Sequence, residues 1–578
     1  MKDPNNHGIL ARFLSTGGRD TGKRRALILF WLTIAVLAVP NMALCVTERM
    51  SPAAGITNVL LPVSVVWLLM TLSPRPGKTT WLMFPLIFFA AFQLVLLYLF
   101  GHSIIAVDMF LNLVTTNPGE AFELLDNLLP AISIVVVVYI PPLVIATVSL
   151  RRKDKLDAAF MSRQRRMALV AVAVGAASLG VSYASDREYS AKIQLYPLNV
   201  GYNLVLAVER SGATADYAET SAGFKFKSKA THPAASREVY VIVVGETARA
   251  CSFSLYGYGR ETTPLLERTP GLVAFTDVLT QSNTTHKSVP MLLSAACAED
   301  YDRIYREKGI ITAFKEAGFH TVFISNQRPN RSFIDFFGME ADEWVFMKEN
   351  HKGTETLQDA DMLPMVRDVL AQGRKKELIV LHTYGSHFNY RERYAARSAV
   401  FKPDNASEAK PSNRESLVNA YDNSIRSTDS FLHGLIGIVD SCGAVSALLY
   451  TSDHGENIFD DRRQLFLHAS PVPSFYELHV PFVIWTSDSY RRTFAPVAAA
   501  LDANRRKSVA SSVSVFHTML GLAGIETPYR NDSLSVASGK FTPARRMYLN
   551  DHNEPVPVEK ILRDKEDFVM MERIKAGQ

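Results

Sequence analysis

The sequence predicts a multi-span α-helical membrane domain of five helices, followed by an α/β domain whose mostly parallel central sheet is covered by helices on both faces. Two observations predict this fold class. Five long apolar runs fall in the first third of the chain, and short apolar runs alternate with helical patterns in the second half. At 578 residues the chain is also too long for one ordinary domain. We expect a transmembrane domain over 1–184, an interfacial helix and linker over 185–236, and a globular domain over 237–578.

The apolar runs are long enough, or nearly so, to cross a hydrocarbon core of roughly 30 Å. A buried core helix is the alternative for any one run, but five of them within the first 184 residues argue against it. The first run could be a signal peptide, although its length and the spans that follow argue against cleavage. The predicted spans are Ala26–Val46, Ile56–Leu72, Trp81–Phe100, Leu128–Leu150 and Met167–Ala184.

The charges between the spans predict how the chain is oriented. Lysine and arginine concentrate before the first span, between the second and third, and between the fourth and fifth, whereas residues 101–127 contain neither. Because positive loops stay in the cytoplasm, we expect a multi-pass membrane protein with a cytoplasmic N-terminus. An odd number of spans then puts the globular domain outside, which is the periplasm if the cell has an outer membrane. The net charge of +5 then reflects membrane topology and does not indicate a nucleic-acid partner.

The globular half reads as alternating strands and helices. Its apolar runs are short and rich in β-branched residues, which is typical of buried parallel strands. The predicted strands are Val239–Val244, His320–Ser325, Glu377–His382, Ala447–Thr451 and Val480–Trp485. Helical periodicity predicts helices over Ile311–Gly318 and Glu415–Val439.

Three of these strands end in acidic or imidazole groups. "VYVIVVGET" ends in Glu246, "ELIVLHTYGSH" in His382 and His387, and "ALLYTSDHGE" in Asp453 and His454. Ligands bind beyond the carboxyl ends of parallel strands, so these groups should meet at one edge of the sheet. Carboxylates mixed with imidazole suit Zn²⁺ or Mn²⁺. We expect His382 to lie behind the ligands and not among them.

A hydroxyl nucleophile is expected in "QSNTTHKSVPMLLSAAC" (Gln281–Cys297). Pro290 fits the first turn of a helix over Met291–Ala296. Thr284, Thr285 and Ser288 lie just before or at that helix start, where backbone N–H groups favour a phosphoryl group. A hydroxyl bound to a metal is more readily deprotonated and can attack phosphorus.

At this point the residues resemble a known family. The relevant segments are "GETARACSFSLYGYGRETTPLL" (Gly245–Leu266), "NTTHKSVP", "YGSHFNYRERY", "NAYDNSIRSTDSFL", "SDHGE" and "FLH". Together they are similar to the lipid A and lipopolysaccharide phosphoethanolamine transferases, inner-membrane enzymes of the alkaline phosphatase/sulfatase superfamily. The similarity extends over nearly the whole chain, and the first segment is its most specific part.

The resemblance implies a two-step transfer. A threonine takes phosphoethanolamine from phosphatidylethanolamine and releases diacylglycerol. The phosphothreonine then passes the group to lipid A, the lipopolysaccharide core or another envelope glycan. The implied cofactor is Zn²⁺. A second zinc ion is left open as an additional site, and Mn²⁺ is the alternative metal that these ligands could bind. A membrane-embedded monomer is expected.

The same resemblance implies roles for single residues. Thr285, five residues before Pro290, is the nucleophile and also a zinc ligand. The other implied ligands are Glu246, Asp453 and His454.

Further residues match the family's substrate contacts. His387 and His468 match the histidines that hold the substrate phosphate or a second zinc. Arg331 falls where relatives carry a phosphate-binding lysine, and an arginine there keeps the charge but changes its geometry. Asn112 and Glu120 match the loop that receives the lipid head group, where Glu120 would attract the ammonium of ethanolamine.

The chain also departs from the family pattern. Gln281 and Met291 stand where many relatives have the cysteines of a disulfide, and "IFDDRRQ" replaces a Gly-rich segment after "DHGEN". Of the four cysteines, three lie outside the membrane and allow at most one bridge, which the sequence does not assign. These differences point to a less typical acceptor, such as core heptose, a periplasmic glucan or a surface protein.

Two other functions remain open. One is a phosphoglycerol transferase of the lipoteichoic-acid-synthase type, although the segment around Asn112 and Glu120 favours ethanolamine. The other is a non-catalytic, membrane-tethered binding protein, against which the joint presence of Glu246, Thr285, Asp453 and His454 argues. A sulfatase is disfavoured because the threonine segment lacks the Cys/Ser-x-Pro-x-Arg sequence from which formylglycine is made.

Overall fold

A computed structural model describes residues 19–48, 50–100, 106–115, 129–187, 189–233, 236–349, 356–406 and 408–575, with backbone only at 98–100, 112–115 and 129. Apart from residues 113–119, which group with the second unit, the chain divides into a compact N-terminal unit that ends at Glu209 and a compact C-terminal unit that begins at Arg210. All four cysteines are free thiols.

The N-terminal unit is helical. Its helices are α1 (Arg19–Thr47), α2 (Pro52–Met70), α3 (Pro76–Leu82), α4 (Phe84–Phe100), α5 (Val107–Thr115), α6 (Leu129–Arg151), α7 (Ala158–Ser185) and α8 (Ala191–Gln194); α9 (Leu198–Ala215) continues into the C-terminal unit. Within the described residues, α1, α2, α6 and α7 are each long and apolar enough to cross a membrane. This confirms a multi-span α-helical membrane domain.

The third predicted span differs from its expected form. Trp81–Phe100 is not one straight helix, because α3 and α4 meet at Met83 with a bend of 60°. The break falls just before Pro85, whose ring fits the first turn of a new helix but not a helix interior. The bent pair has the composition of a broken span or a re-entrant loop.

Two polar side chains inside the N-terminal unit form buried pairs. Arg25 on α1 forms a buried ion pair with Asp154, its Nε lying 3.0 Å from Asp154 Oδ2. Asn41 donates from Nδ2 to the carbonyl of Tyr196 and accepts from the Tyr196 N–H, each at 2.9 Å. Such pairing is required where neither water nor lipid offers a partner.

The C-terminal unit is built on a seven-stranded sheet with the order β3-β11-β8-β2-β7-β5-β6. These strands are β2 (Glu238–Gly245), β3 (Leu272–Ala274), β5 (His320–Ser325), β6 (Glu343–Phe346), β7 (Lys376–His382), β8 (Val445–Ser452) and β11 (Phe482–Thr486). The five from β8 to β6 run parallel, while β11 is antiparallel to both of its neighbours. The predicted strands and the mostly parallel sheet are confirmed, with β11 as the exception.

Small strands complete the unit. They form four two-stranded pairs in the described residues. They are β1 (Lys229–Ala230), β4 (Val278–Leu279), β9 (Asn457–Ile458), β10 (Phe466–Leu467), β12 (Val509–Ala510), β13 (Ile525–Glu526), β14 (Met547–Leu549) and β15 (Pro555–Pro557).

Helices connect the strands and cover the sheet. They are α10 (Tyr217–Thr220), α11 (Thr285–Leu292), α12 (Ile310–Glu316), α13 (Phe333–Gly338), α14 (Met362–Ala371), α15 (Arg414–Ser441), α16 (Phe475–Leu478), α17 (Asp488–Thr493), α18 (Ala495–Asn504), α19 (Ser511–Leu522), α20 (Val558–Ile561) and α21 (Lys565–Lys575). All eight residues of β2 are buried, so both faces of the sheet are covered, as continuous apolar strands require.

Two segments differ from their expected form. Tyr217 and Phe226, inside the predicted linker, are buried in the core of the C-terminal unit. The helix expected over Met291–Ala296 begins at Thr285 instead, because the N–H groups of Lys287 and Ser288 already donate to the carbonyl of Thr284. Pro290 therefore lies in the sixth position of α11 and not in its first turn.

Candidate active site

Three potential metal ligands lie together at the carboxyl ends of β2 and β8. Gly245 pairs with Ser452 in the sheet, so the next residues on the two strands, Glu246 and Asp453, leave the edge side by side. His454 follows, and its Nε2 lies 3.5 Å from Glu246 Oε1 and 3.2 Å from Asp453 Oδ2. One ligand atom from each of the three residues falls within 4.8 Å of the others.

Thr285 joins this cluster from the N-terminus of α11. Its Oγ1 lies 3.1 Å from His454 Nε2 and 3.3 Å from Glu246 Oε1. The neighbouring hydroxyls point elsewhere: Thr284 Oγ1 bonds Ser282 Oγ at 3.1 Å, and Ser288 Oγ donates to the Ser282 carbonyl. Thr285 is also half-buried where Thr284 is buried. Among these three hydroxyls, only that of Thr285 contacts the predicted ligands.

The cluster fits a bound cation. Glu246, Asp453 and His454 are buried, and Asp453 Oδ2 has no hydrogen-bond partner among the described residues. Burial, with the nearby charge of Asp453, raises the pKa of Glu246 to about 8, and burial raises the pKa of Asp453 to about 7. Two buried carboxyl groups this close resist ionising together unless a positive charge lies between them.

His454 is held with a lone pair facing the cluster. Burial lowers its pKa to about 4, so the imidazole is neutral at pH 7. Its Nδ1 lies 2.9 Å from the Gly455 carbonyl, which can only accept, so Nδ1 carries the proton and Nε2 the lone pair. Gly455 is required here because a Cβ would clash with the carbonyl oxygen of Tyr476.

His387 and His468 lie beside the cluster. The rings of His468 and His454 are 4.0 Å apart, and the rings of His387 and His468 are 6.2 Å apart. Burial lowers the pKa of His468 to about 4 and holds the pKa of His387 well below its ordinary value. Both imidazoles are therefore neutral at pH 7, and both side chains are partly exposed.

Among the predicted residues that the structure describes in full, Arg331 is not joined to the cluster. Arg331 is exposed with a left-handed backbone (φ 60°), and its backbone N–H donates to Asp335. The backbone of Asn112 lies in α5, while its side chain and the whole of Glu120 lie outside the described residues. His382 is buried behind the ligands as expected, its Nδ1 3.1 Å from Ser325 Oγ.

Gln327 and Glu456, which the sequence motifs did not single out, also contact the cluster or the histidines beside it. Gln327 donates from Nε2 to Glu246 Oε2 at 3.2 Å and to the Thr383 carbonyl at 2.9 Å. Glu456 lies 3.3 Å from His468 Nδ1. Their positions after β5 and β8 were the available signal, since residues just beyond parallel strands line such sites.

Comparison with known proteins identifies a family to which part of this sequence is similar. A family model described as Sulfatase matches residues 238–525. Phosphoethanolamine transferase EptC of Escherichia coli (strain K12) is 28% identical over an alignment of 326 residues, which covers 54% of this chain and 56% of that protein. The match thus spans little more than half of the relative's length.

Two solved structures share the fold. The zinc complex of the C-terminal periplasmic domain of EptC from Escherichia coli aligns with a TM-score of 0.53 at 24% identity, over 59% of this chain and 97% of that one. The integral membrane protein lipooligosaccharide phosphoethanolamine transferase A (EptA) from Neisseria meningitidis aligns with a TM-score of 0.67 at 22% identity, over 88% and 98%. Residues 238–525 therefore form a sulfatase-family domain, and the relatives that match this chain include proteins named phosphoethanolamine transferases.

Proposed function

We propose that this protein transfers phosphoethanolamine from phosphatidylethanolamine to a cell-envelope acceptor, which is lipid A, the lipopolysaccharide core or another glycan. A phosphothreonine at Thr285 is the intermediate, and the zinc ligands are Glu246, Thr285, Asp453 and His454. The observation that carries the proposal is the position of Thr285 Oγ1, 3.1 Å from His454 Nε2 and 3.3 Å from Glu246 Oε1 in a buried donor set. The relative EptC carries the same activity in its name.

Bound zinc would favour the ionised form of the Thr285 hydroxyl and offset negative charge on the phosphoryl group. In the first step Thr285 Oγ1 bonds to phosphorus, and the bond from phosphorus to the diacylglycerol oxygen breaks. That oxygen leaves with the proton that Thr285 gives up. In the second step an acceptor oxygen attacks the phosphothreonine, and Thr285 Oγ1 leaves and regains a proton from the acceptor.

The remaining site residues serve the substrates in this proposal. His387 and His468 are neutral at pH 7, so their ring nitrogens can hydrogen-bond phosphoryl oxygens and pass the transferred proton. Arg331 is proposed to contact phosphate, and Asn112 and Glu120 to receive the head group of the donor. These two histidines are also the proposed ligands of a second zinc ion.

The proposed setting is the inner membrane, with the N-terminus in the cytoplasm and the catalytic domain in the periplasm, and the proposed state is a monomer. The apolar helices of the N-terminal unit and the names of the periplasmic relatives support this setting. It gives the enzyme access to a lipid donor and to envelope glycans at one membrane surface.

The decisive experiment compares lipopolysaccharide and surface glycans, by mass spectrometry, from cells with and without the gene. We expect a phosphoethanolamine increment on one glycan and release of diacylglycerol in the cells that make the protein. Identical spectra, together with unchanged diacylglycerol, would refute the function. An increment of phosphoglycerol would instead identify the donor as another lipid.

Replacing the nucleophile should remove the reaction. Thr285→Ala is expected to lower transfer by at least about a thousandfold, because the covalent intermediate cannot form. The matched control is Thr284→Ala, whose hydroxyl bonds Ser282 and not the ligands, so its transfer should stay within about tenfold of the natural protein. Modification of the acceptor at the normal rate by Thr285→Ala would disprove the role of Thr285.

A further inference from the structure

The turn that carries Glu246 out of β2 contains a strained residue. Thr247 has a left-handed backbone with φ 61°. This conformation is unfavourable for a β-branched residue and persists only where surrounding contacts hold it. Strain of this kind concentrates at functional sites, so the contacts of Thr247 indicate which groups its unusual backbone conformation positions.

Thr247 binds both carboxylates of the cluster. Its backbone N–H donates to Asp453 Oδ1 at 3.0 Å, and its hydroxyl donates to Glu246 Oε1 at 2.8 Å. These bonds engage one oxygen of each acid, and the other oxygen of Asp453 has no hydrogen-bond partner among the described residues. A single buried residue thus donates to two acids on neighbouring strands, and the His454 N–H is a further donor to Asp453 Oδ1 at 2.7 Å.

Tyr421, from the long helix α15, holds this turn in place. Its hydroxyl donates to the Thr247 carbonyl at 2.7 Å and accepts from the Arg249 N–H at 2.9 Å. The side chain is fully buried, and its ring packs edge-on against Tyr390 at 5.1 Å. The phenol therefore bridges the two sides of the strained residue.

The helix is itself fixed to the segment that follows the turn. Asp422 accepts from the Tyr258 hydroxyl at 3.0 Å and from Arg260 at 2.8 Å. Asp429 accepts from the N–H groups of Leu265 and Leu266. The segment Gly245–Leu266, which begins next to Glu246, is thus bound along α15 to the helix that carries Tyr421.

We propose that Thr247 and Tyr421 are positioning residues that hold the carboxylates of Glu246 and Asp453 ready for a metal ion. The inference rests on the proposed function only in taking these acids as zinc ligands. Without the Tyr421 hydroxyl, the Thr247 carbonyl and the Arg249 N–H lose their shared partner, so the turn that presents the Thr247 donors to both acids is held less tightly. Groups that orient metal ligands in this way typically change metal affinity by about 10- to 100-fold when removed.

The test measures zinc affinity of the full chain in detergent, by competition with a chromophoric chelator, together with thermal unfolding of the metal-free protein. Tyr421→Phe keeps the ring packing and removes only the hydroxyl. We expect it to weaken zinc binding about tenfold. Tyr490→Phe is the matched control: Tyr490 is also fully buried and donates to a backbone carbonyl, that of Leu522, at 2.8 Å.

Tyr490 lies just beyond the carboxyl end of β11. Because β11 runs antiparallel to β8, this end of the sheet is opposite the one where the cluster lies. Tyr490→Phe should lower the unfolding temperature as much as Tyr421→Phe does and leave zinc affinity unchanged. A purely structural role for Tyr421 would give the two variants the same zinc affinity.

Thr247 is tested by a pair of variants. Thr247→Val keeps the β-branched shape and loses the hydroxyl, so zinc binding should weaken about tenfold; Thr247→Ser keeps the hydroxyl and should bind within about threefold of the natural protein. Zinc affinity within twofold of the natural protein for both Tyr421→Phe and Thr247→Val would overturn this inference alone. Failure of the natural protein to bind zinc would overturn the proposed metal site as well.

Discussion

At the scale of single residues, burial changes the acidity of carboxyl groups. Glu477, which is not one of the proposed zinc ligands, is an example. Its carboxylate is fully buried, accepting from the Ser474 N–H at 2.7 Å and from Asn283 at 2.8 Å. Burial raises its pKa from 4.5 to about 7. A carboxyl group whose pKa is raised on folding contributes stability that is complete below pH 4.5 and is lost as the pH rises to about 7.

Glu477→Gln should flatten this part of the pH dependence. The amide is neutral at every pH, so the variant no longer has a group that must ionise in the interior. Between pH 4.5 and 7 the free energy of unfolding should fall less than in the natural protein, by a difference on the order of 3 kcal/mol. Thermal unfolding across this range measures it. The exposed Glu559→Gln is the control, and a curve for Glu477→Gln parallel to that of the natural protein would contradict the argument.

At the scale of elements, the loop after β7 is shaped by close contact with the proposed metal ligand. Gly385 has φ 50°, and a Cβ there would lie 2.5 Å from the carbonyl oxygen and 2.9 Å from the backbone nitrogen of Glu246. The carboxylate of Asp359 holds the loop by accepting from the N–H groups of Tyr384 and Gly385. The loop then continues to His387 beside the candidate site.

Gly385→Ala should damage both stability and activity. The backbone of Glu246 must move to admit a methyl group, so we expect a loss of about 2–4 kcal/mol and a loss of transfer of at least about tenfold. Gly373→Ala is the matched control, since Gly373 also has positive φ (67°) but open space around it. That variant should lose about 1 kcal/mol and keep its transfer rate. Equal effects of the two variants would rule out the contact with Glu246 as the cause.

Elements were more predictable than the contacts between them. Apolar runs identified β2, β5, β7 and β8 because buried parallel strands need continuous apolar sequence. The start of α11 and the bend between α3 and α4 were missed, because helix ends depend on local hydrogen bonds that periodicity does not report.

The candidate site was predictable only in part, for a related reason. Residues at strand ends, such as Glu246 and Asp453, follow from topology alone. Gln327, Thr247 and Tyr421 act through the direction of a side chain or the backbone conformation of one turn. Their partners lie between 1 and 206 residues away in the chain, and no spacing rule connects them.

At the scale of the whole molecule, apolar composition distinguishes the two units. The helices of the N-terminal unit have the hydropathy of membrane spans, whereas the C-terminal unit buries its own apolar core around a sheet. A chain that contains only residues 210–578 should therefore fold, and it should bind zinc with the affinity of the full protein. Transfer from phosphatidylethanolamine in vesicles should fall at least about a hundredfold, since effective concentration at the membrane is lost. Equal transfer by the shortened and full chains would show that the N-terminal unit is dispensable.

The orientation in the membrane makes a separate prediction. Arginine and lysine lie before α1 and in the loop between α6 and α7, which the positive-inside rule assigns to the cytoplasm. A reporter that fluoresces only in the cytoplasm should be bright when fused before residue 1 and dark when fused after residue 578. The reverse pattern would place the candidate site on the wrong side for envelope glycans.

The free thiols have a practical consequence. Because Cys251, Cys297 and Cys442 form no bridge, the C-terminal unit keeps its shape without a disulfide. Its maturation therefore needs no oxidant, and strains that lack the bacterial thiol-oxidising machinery should accumulate it at undiminished yield.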